Sequence, residues 1–271
     1  MTQQKAPFGV IGNPVEHSLS PRIHTQFANQ FGHSIDYQKY QLNPHELKSF
    51  IANFFATGGK GLNVTLPYKQ TVIPLLDRLS EEAALSQSVN TVYLDDKHNL
   101  VGATTDGQGL LLDLELQGFQ VKGKKILLIG AGGASASILA ALLKAGASIS
   151  LYNRTLSKAE KLQQDFATIG EVELFDPYEQ QDHEISFDAL VSSISQFNLE
   201  LFSKIQKYIN QNTYCYDLNY GQRAETFKQF ALQNRCYKFS DGFGMLKGQA
   251  AIAYKIWQGV LPDISQITQY D

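Results

Sequence analysis

From residue 8 to residue 65 the chain alternates short apolar runs with longer amphipathic stretches. FGVIG (8–12), DYQKYQL (36–42) and KGLNVT (60–65) have the length and composition of strands, whereas PRIHTQFANQF (21–31) and PHELKSFIANFFATG (44–58) repeat apolar positions at helical spacing. This predicts a βα alternation, a sheet covered by helices. A second series opens at KKILLIGAGGAS (124–135) and continues through ASISLYNRT, FDALVSS and NTYCYDLNY, separated by helical stretches such as LSKAEKLQQDFA (156–167). That series reads as Rossmann-like. Between the two, ATTDGQGLLLDLELQG (103–118) opens on a capping Asp106 and closes on Gly118, so one helix is expected to lead from the first domain into the second.

At 271 residues the chain exceeds one typical domain, and two domains are expected. Its 43% apolar and 18% charged residues suit a globular fold. A net charge of −3 offers no long-range attraction for nucleic acid or an anionic membrane, so any anion must be bound locally. The most apolar stretch, 126–147, is broken by glycines and Lys144 and divides into a strand and a helix rather than a membrane span. The N-terminal MTQQKAPFGVIG lacks the apolar core of a signal peptide, which suggests a cytoplasmic protein. Cys215 and Cys236 lie in strand-like segments outside any C-x-x-C pattern and are expected to be reduced, buried thiols. The six histidines show no metal-binding spacing, and no metal is assigned.

GAGGAS (130–135) follows an apolar strand and opens a helix, the context that a dinucleotide fingerprint requires. Gly130 permits the tight turn, Gly132 lets the backbone approach a pyrophosphate, and the helix N-terminus offers free N–H groups. Ser135 replaces the usual third Gly or Ala. Asn153 ends the following strand about 20 residues further on, where an NAD site places a carboxylate. The segment instead offers Arg154 and Lys158 with Asn153 and Thr155 as donors, which suits the 2′-phosphate of NADP.

NVTLPYK (63–69) contains a lysine at an unfavourable place. With Pro67 as first helical residue, Lys69 falls near the third, where the helix dipole opposes a cation by about 0.3–1 kcal/mol. Its alternative is to extend into water. Ser18, Ser20, Asn63, Thr65, Asn90 and Asp106 are further polar candidates, although Ser20 and Asp106 also read as helix N-caps and Asn63 and Asn90 as turn residues. Gln249 shares a helical face with Met245, Ile252 and Ile256, so its amide needs a partner, either a buried backbone group or a substrate hydroxyl. Beside a hydride carrier, a lysine ammonium next to an aspartate can supply a proton to a reduced ketone, and the Ser, Thr, Asn and Gln side chains suit a small polyhydroxylated substrate.

Taken in order and spacing, GNPVEHSLSP, GGKGLNVTLPYK, SVNTV, TTDGQGLL, LLIGAGGAS, NRT, YCYDLNY and DGFGMLKGQAA resemble the NADP-dependent, biosynthetic type of shikimate dehydrogenase over nearly the whole chain. The resemblance implies an α/β fold. It has an N-terminal α/β substrate domain (1–105 and 242–271), a Rossmann-like doubly wound NADP-binding domain (106–241), and a C-terminal helix returning to the first. It implies reversible reduction of 3-dehydroshikimate to shikimate. Lys69 and Asp106 match the catalytic pair, with lysine as proton donor and aspartate as its orienter; which of them moves the proton is left open. Ser18, Ser20, Asn63, Thr65, Lys69, Asn90, Asp106, Tyr220 and Gln249 match substrate-facing positions. Gly130, Ala131, Gly132, Gly133, Ala134, Asn153, Arg154, Thr155 and Lys158 match the NADP site.

The expected partner is that small molecule, with no nucleic acid and no membrane, and the protein is expected to be a monomer or homodimer. Departures from the family pattern are Thr104, where Asn is common, and SSI at 192–194, where Asn-Ala-Thr is often found, so that Ile194 lacks a hydroxyl near the cofactor. Two other readings of the same residues are a quinate/shikimate dehydrogenase of broader specificity and a non-catalytic NADP-binding sensor.

Overall fold

A computed structural model describes residues 6–179 and 185–268, and the first five residues of the N-terminal segment discussed above lie outside them. Its contacts divide the chain into two units, one formed by residues 1–109 and 247–271 and the other by 110–246.

The first unit contains β1 (Ala6–Gly12), α1 (Ser20–Phe31), β2 (Ile35–Gln41), α2 (Leu47–Ala56), β3 (Gly61–Val64), α3 (Tyr68–Thr71), β4 (Arg78–Leu79), α4 (Glu81–Ser86), β5 (Thr91–Leu94) and β6 (Leu100–Ala103). Its six-stranded sheet has the order β2-β1-β3-β5-β6-β4. β1 pairs in parallel with β2 and β3, β5 runs antiparallel to both β3 and β6, and β4 pairs in parallel with β6. Central β3 is buried at every position, while the edge strand β2 carries polar residues, as expected for a strand with one covered face. Ile11, Leu62, Val64, Tyr68, Val72 and Val92 anchor one core, and each such Ile, Leu or Val contributes about 1.5–3 kcal/mol on burial.

Helix α5 (Asp106–Leu116) starts in the first unit. The second unit then adds β7 (Lys125–Ile129), α6 (Gly133–Lys144), β8 (Ser148–Tyr152), α7 (Leu156–Phe166), β9 (Val172–Leu174), β10 (Ala189–Ser192), α8 (Leu199–Ile205), β11 (Tyr214–Asp217), α9 (Glu225–Gln233) and β12 (Lys238–Ser240). Its sheet is wholly parallel in the order β12-β11-β10-β7-β8-β9. Sheets of this kind bury both faces, which is why the run Ile126–Ile129 is continuous rather than alternating. The strand order reverses between β7 and β10, and in doubly wound sheets ligands bind outside the strand ends at that point. Helix α10 (Phe243–Gln258) follows β12, and from Lys247 onward it belongs to the first unit.

Several local expectations are corrected. Pro67 is the N-cap of α3 rather than its first residue, the Leu66–Pro67 peptide is cis, and α3 is only one turn long. Lys69 is therefore its second residue and opposes no extended helix dipole. Ser20 is the first residue of α1, whose N-cap is Leu19, because Pro21 already fills the early position at which an N–H is dispensable. Asp106 is likewise helical rather than a cap outside α5. Cys236 lies in the turn before β12 and is half-buried, whereas Cys215 is buried on β11. Both are free, with their sulfurs 3.5 Å apart.

Candidate active site

Within the first unit, Lys69 Nζ donates to Asp106 Oδ2 at 2.6 Å, and the two side chains are 18% and 6% exposed. The backbone of Lys69 is held by Val89, whose N–H donates to the Lys69 carbonyl at 2.8 Å. Asp106 is held from its other side, where Asn90 Nδ2 donates to Oδ1 at 2.8 Å. Burial of this pair requires such partners, because an unpaired charge there would carry its whole desolvation penalty.

Asn90 is the hub of the cluster. Its Nδ2 also reaches Thr105 Oγ1 at 3.0 Å and Gln249 Oε1 at 3.3 Å, and its Oδ1 accepts from the Thr105 N–H at 3.0 Å and from Thr91 Oγ1 at 2.9 Å. Thr105 Oγ1 in turn donates to the Gln249 carbonyl at 2.9 Å. Gln249 thus meets a buried polar network, which answers the question raised by its place on an apolar helical face. The approach is allowed by glycines: a Cβ on Gly109 would lie 2.3 Å from the Gln249 nitrogen, and one on Gly248 would lie 2.4 Å from the Gly109 oxygen.

Asn63 is buried with its amide already engaged. Nδ2 donates to the Asn90 carbonyl at 3.1 Å and to Thr91 Oγ1 at 3.3 Å, while Oδ1 accepts from the Tyr37 hydroxyl at 2.6 Å. Burial raises the Tyr37 phenol well above its ordinary range, so it remains a donor. Tyr37 stacks on His24, with ring centroids 4.5 Å apart, and burial lowers the His24 imidazole to about 3. Ser18 Oγ donates to Ser20 Oγ at 3.1 Å, and Thr65 is half-buried beside Gly12. Tyr220 belongs to the second unit, as the N-cap of the 3-10 turn Gly221–Ala224, and burial raises its phenol.

The second unit holds a cavity of about 370 Å³ at the reversal of strand order. Gly130, Ala131 and Gly132 line it after β7, Asn153, Arg154, Thr155 and Lys158 after β8, and Ser193, Ile194, Ser195, Gln196 and Asn198 after β10. Gly133 and Ala134 are the first two residues of α6, where backbone N–H groups lack helical partners. A Cβ built on Gly132 would meet nothing nearer than Ser135 Oγ at 4.0 Å, leaving this backbone open to close approach. Asn153 Nδ2 donates to the Thr155 carbonyl at 2.8 Å and so shapes its own loop. Open glycine backbone, a helix N-terminus and two cations without a neighbouring carboxylate at residue 153 fit a phosphorylated dinucleotide.

Sequence reading missed Thr105, Tyr37, Gln196, Asn198 and Asn219. Asn219 Nδ2 donates to the Ile194 carbonyl at 2.8 Å and to Asp217 Oδ1 at 2.9 Å, tying the loop after β11 to the loop after β10. Burial raises the Asp217 carboxyl to about 6 against the opposing pull of these Asn219 bonds. The available signal was position, since SSISQ begins where β10 ends at the switch point.

A doubly wound parallel sheet with a glycine turn at its switch point, in a chain that also carries a buried Lys–Asp pair, defines a dinucleotide-dependent dehydrogenase. Comparison with known proteins narrows that class. Residues 10–92 match the shikimate dehydrogenase substrate binding domain, and residues 113–214 match the shikimate / quinate 5-dehydrogenase domain. The chain is 40% identical over 269 residues to the shikimate dehydrogenase (NADP(+)) of Vibrio cholerae, covering 98% of this chain and 96% of that protein. The crystal structure of shikimate dehydrogenase from Aquifex aeolicus superposes with a TM-score of 0.85 at 34% identity, covering 98% of this chain and 97% of that one. Shikimate 5-dehydrogenase from Thermus thermophilus, in complex with NADP(H) and shikimate, gives 0.81 at 30% identity, covering 96% of each. The chain belongs to the shikimate dehydrogenase family. No helix among its described residues is long and apolar enough to cross a membrane.

Proposed function

We propose that this chain is an NADP-dependent oxidoreductase that reversibly reduces 3-dehydroshikimate to shikimate, its first unit taking the substrate and its second the cofactor. The observation that carries the reading is the 2.6 Å pair of Lys69 and Asp106 in a chain of this family, with Asp106 held by Asn90, which in turn meets Gln249. When bound, NADPH supplies the hydride to the ketone carbon. Lys69 holds the oxygen that becomes an alkoxide and gives it a proton, which leaves the amine to be recharged from water. Asp106 orients Lys69.

Ser18, Ser20, Thr65, Asn90 and Gln249 supply hydroxyl and amide groups for the substrate's carboxylate and hydroxyls. Asn63 acts at one remove, because Tyr37, Asn90 and Thr91 already take its amide. Gly130 to Ala134 face the pyrophosphate, and Asn153, Arg154, Thr155 and Lys158 face the 2′-phosphate, which favours NADP over NAD. On this reading the protein acts as a monomer or homodimer in the cytoplasm.

The test is an initial-rate assay at the reduced nicotinamide band, with shikimate or quinate crossed against NADP⁺ or NAD⁺. Preference for shikimate with NADP⁺ is expected. Equal turnover of quinate would widen the substrate class, and a folded protein that binds NADP⁺ but turns over neither substrate would overturn the assignment.

A further inference from the structure

Two residues that depart from the usual patterns, Ser135 in the glycine turn and Ser193 after β10, meet in the structure. Their hydroxyl oxygens are 2.7 Å apart, and either could donate on distance alone. The direction follows from proton counting. Ser193 Oγ donates its only proton to the Ile129 carbonyl at 2.7 Å, so Ser135 must donate to Ser193. Ser135 Oγ in turn accepts from the Gly132 N–H at 3.0 Å. The result is a directed relay from Gly132 N–H to Ser135, then Ser193, then the carbonyl at the end of β7.

This relay clamps both ends of the glycine turn. It starts at the N-cap of α6 and ends at the last residue of β7, with Gly130 between them at φ +113°. A Cβ on Gly130 would lie 2.2 Å from Ser193 Oγ, so the glycine also provides the room that the hydroxyl needs. The relay takes the Gly132 N–H out of service as a phosphate donor. What remains for an anion is the N–H groups of Gly133 and Ala134, with the missing side chain of Gly132 leaving room for it to approach them.

We propose that Ser193 is a positioning residue for the cofactor pyrophosphate, acting through Ser135 to hold the turn so that the first N–H groups of α6, and not that of Gly132, receive it. The proposal rests on the NADP reading above. With Ser193→Ala, Ser135 loses its acceptor and the side-chain link from the turn to β7 is cut, while the backbone bond from the residue-193 N–H to the Ile129 carbonyl at 2.9 Å and the Gly132 N–H bond to Ser135 remain. The side chains that face the 2′-phosphate stand on a different loop, after β8, and keep their geometry.

The experiment is calorimetric titration of wild type, S193A, S135A and the double variant with NADP⁺ and with adenosine 2′-monophosphate, which has the 2′-phosphate but no pyrophosphate. In S193A the dissociation constant for NADP⁺ is expected to rise about five- to tenfold, in line with one lost buried hydrogen bond, while that for adenosine 2′-monophosphate stays within about twofold. The double variant is expected to be no weaker than S193A, since both substitutions break one chain. An unchanged NADP⁺ constant in S193A, equal weakening of both ligands, or additive single effects would each overturn the proposal. All readouts are binding constants, so a wild type that bound NADP⁺ without oxidising shikimate would sink the assigned reaction and leave this proposal intact.

Discussion

Asn90 and Gln249 stand 159 residues apart in the chain and 3.3 Å apart in space, and the same Asn90 amide holds Asp106. The Lys69–Asp106 pair is therefore linked through Asn90 to Gln249, a residue that follows the whole second unit in sequence.

Replacing Lys69 with Ala is expected to lower kcat by about 10²–10⁴-fold, the usual contribution of a positioned proton donor. Calorimetry should show NADP⁺ binding unchanged, because Lys69 does not line the cavity of the second unit proposed to take the cofactor. Asp106→Ala should be comparably slow and also less stable by about 3 kcal/mol, since it leaves a largely buried ammonium unpaired. Urea denaturation of the two variants separates these effects.

Arg154→Ala and Lys158→Ala are each expected to raise KM for NADP⁺ by about tenfold, the effect of losing one charge-assisted hydrogen bond. KM for NAD⁺, which has no 2′-phosphate, should stay within about twofold. Asn153→Asp should act in the same sense through repulsion. The ratio of kcat/KM for the two cofactors is the readout, and equal losses with both would remove these residues from the phosphate site.

Gly109→Ala places a methyl group 2.3 Å from the backbone nitrogen of Gln249, where no flexible side chain can yield. Overpacking of this kind costs about 1–3 kcal/mol. Displacement of Gln249 from Asn90 should raise KM for shikimate, while the dissociation constant of NADP⁺ remains unchanged.

His24 predicts a pH dependence of stability. Its folded pKa of about 3 lies below the ordinary 6.5, so below pH 6.5 the unfolded chain takes up a proton that the folded chain refuses. Stability from this group is complete above pH 6.5 and falls by about 1.4 kcal/mol per pH unit as the pH drops toward 3. His24→Phe, which preserves an aromatic face for Tyr37 and Trp257, should flatten that slope in urea titrations at pH 4 and 7. An unchanged slope would show that His24 does not carry the acid sensitivity.

The helix and strand pattern was legible because it is local. A parallel strand covered on both faces must be apolar throughout, and KILLI followed by a glycine turn and a helix can be recognised from neighbouring residues alone. Residue type likewise revealed the cations after β8 and the absence of a carboxylate at 153. Helix starts were less legible. Ser20 and Asp106 have capping side chains, yet Pro21 and the contacts of Asp106 with Lys69 and Asn90 placed both within their helices.

By itself the sequence determined an α/β chain, a glycine turn suited to a dinucleotide, and a set of polar side chains suited to a hydroxylated substrate. Only the tertiary structure decided which of those groups are paired with one another. It joined Lys69 to Asp106, filled the Asn63 amide from Tyr37 and Asn90, and ran a hydroxyl relay through Ser135 and Ser193. Hydrogen bonds are short and directional, so their partners are set by where strands and helices bring atoms together. The spacing of Ser135 and Ser193, 58 residues apart in the chain, contains no trace of their contact.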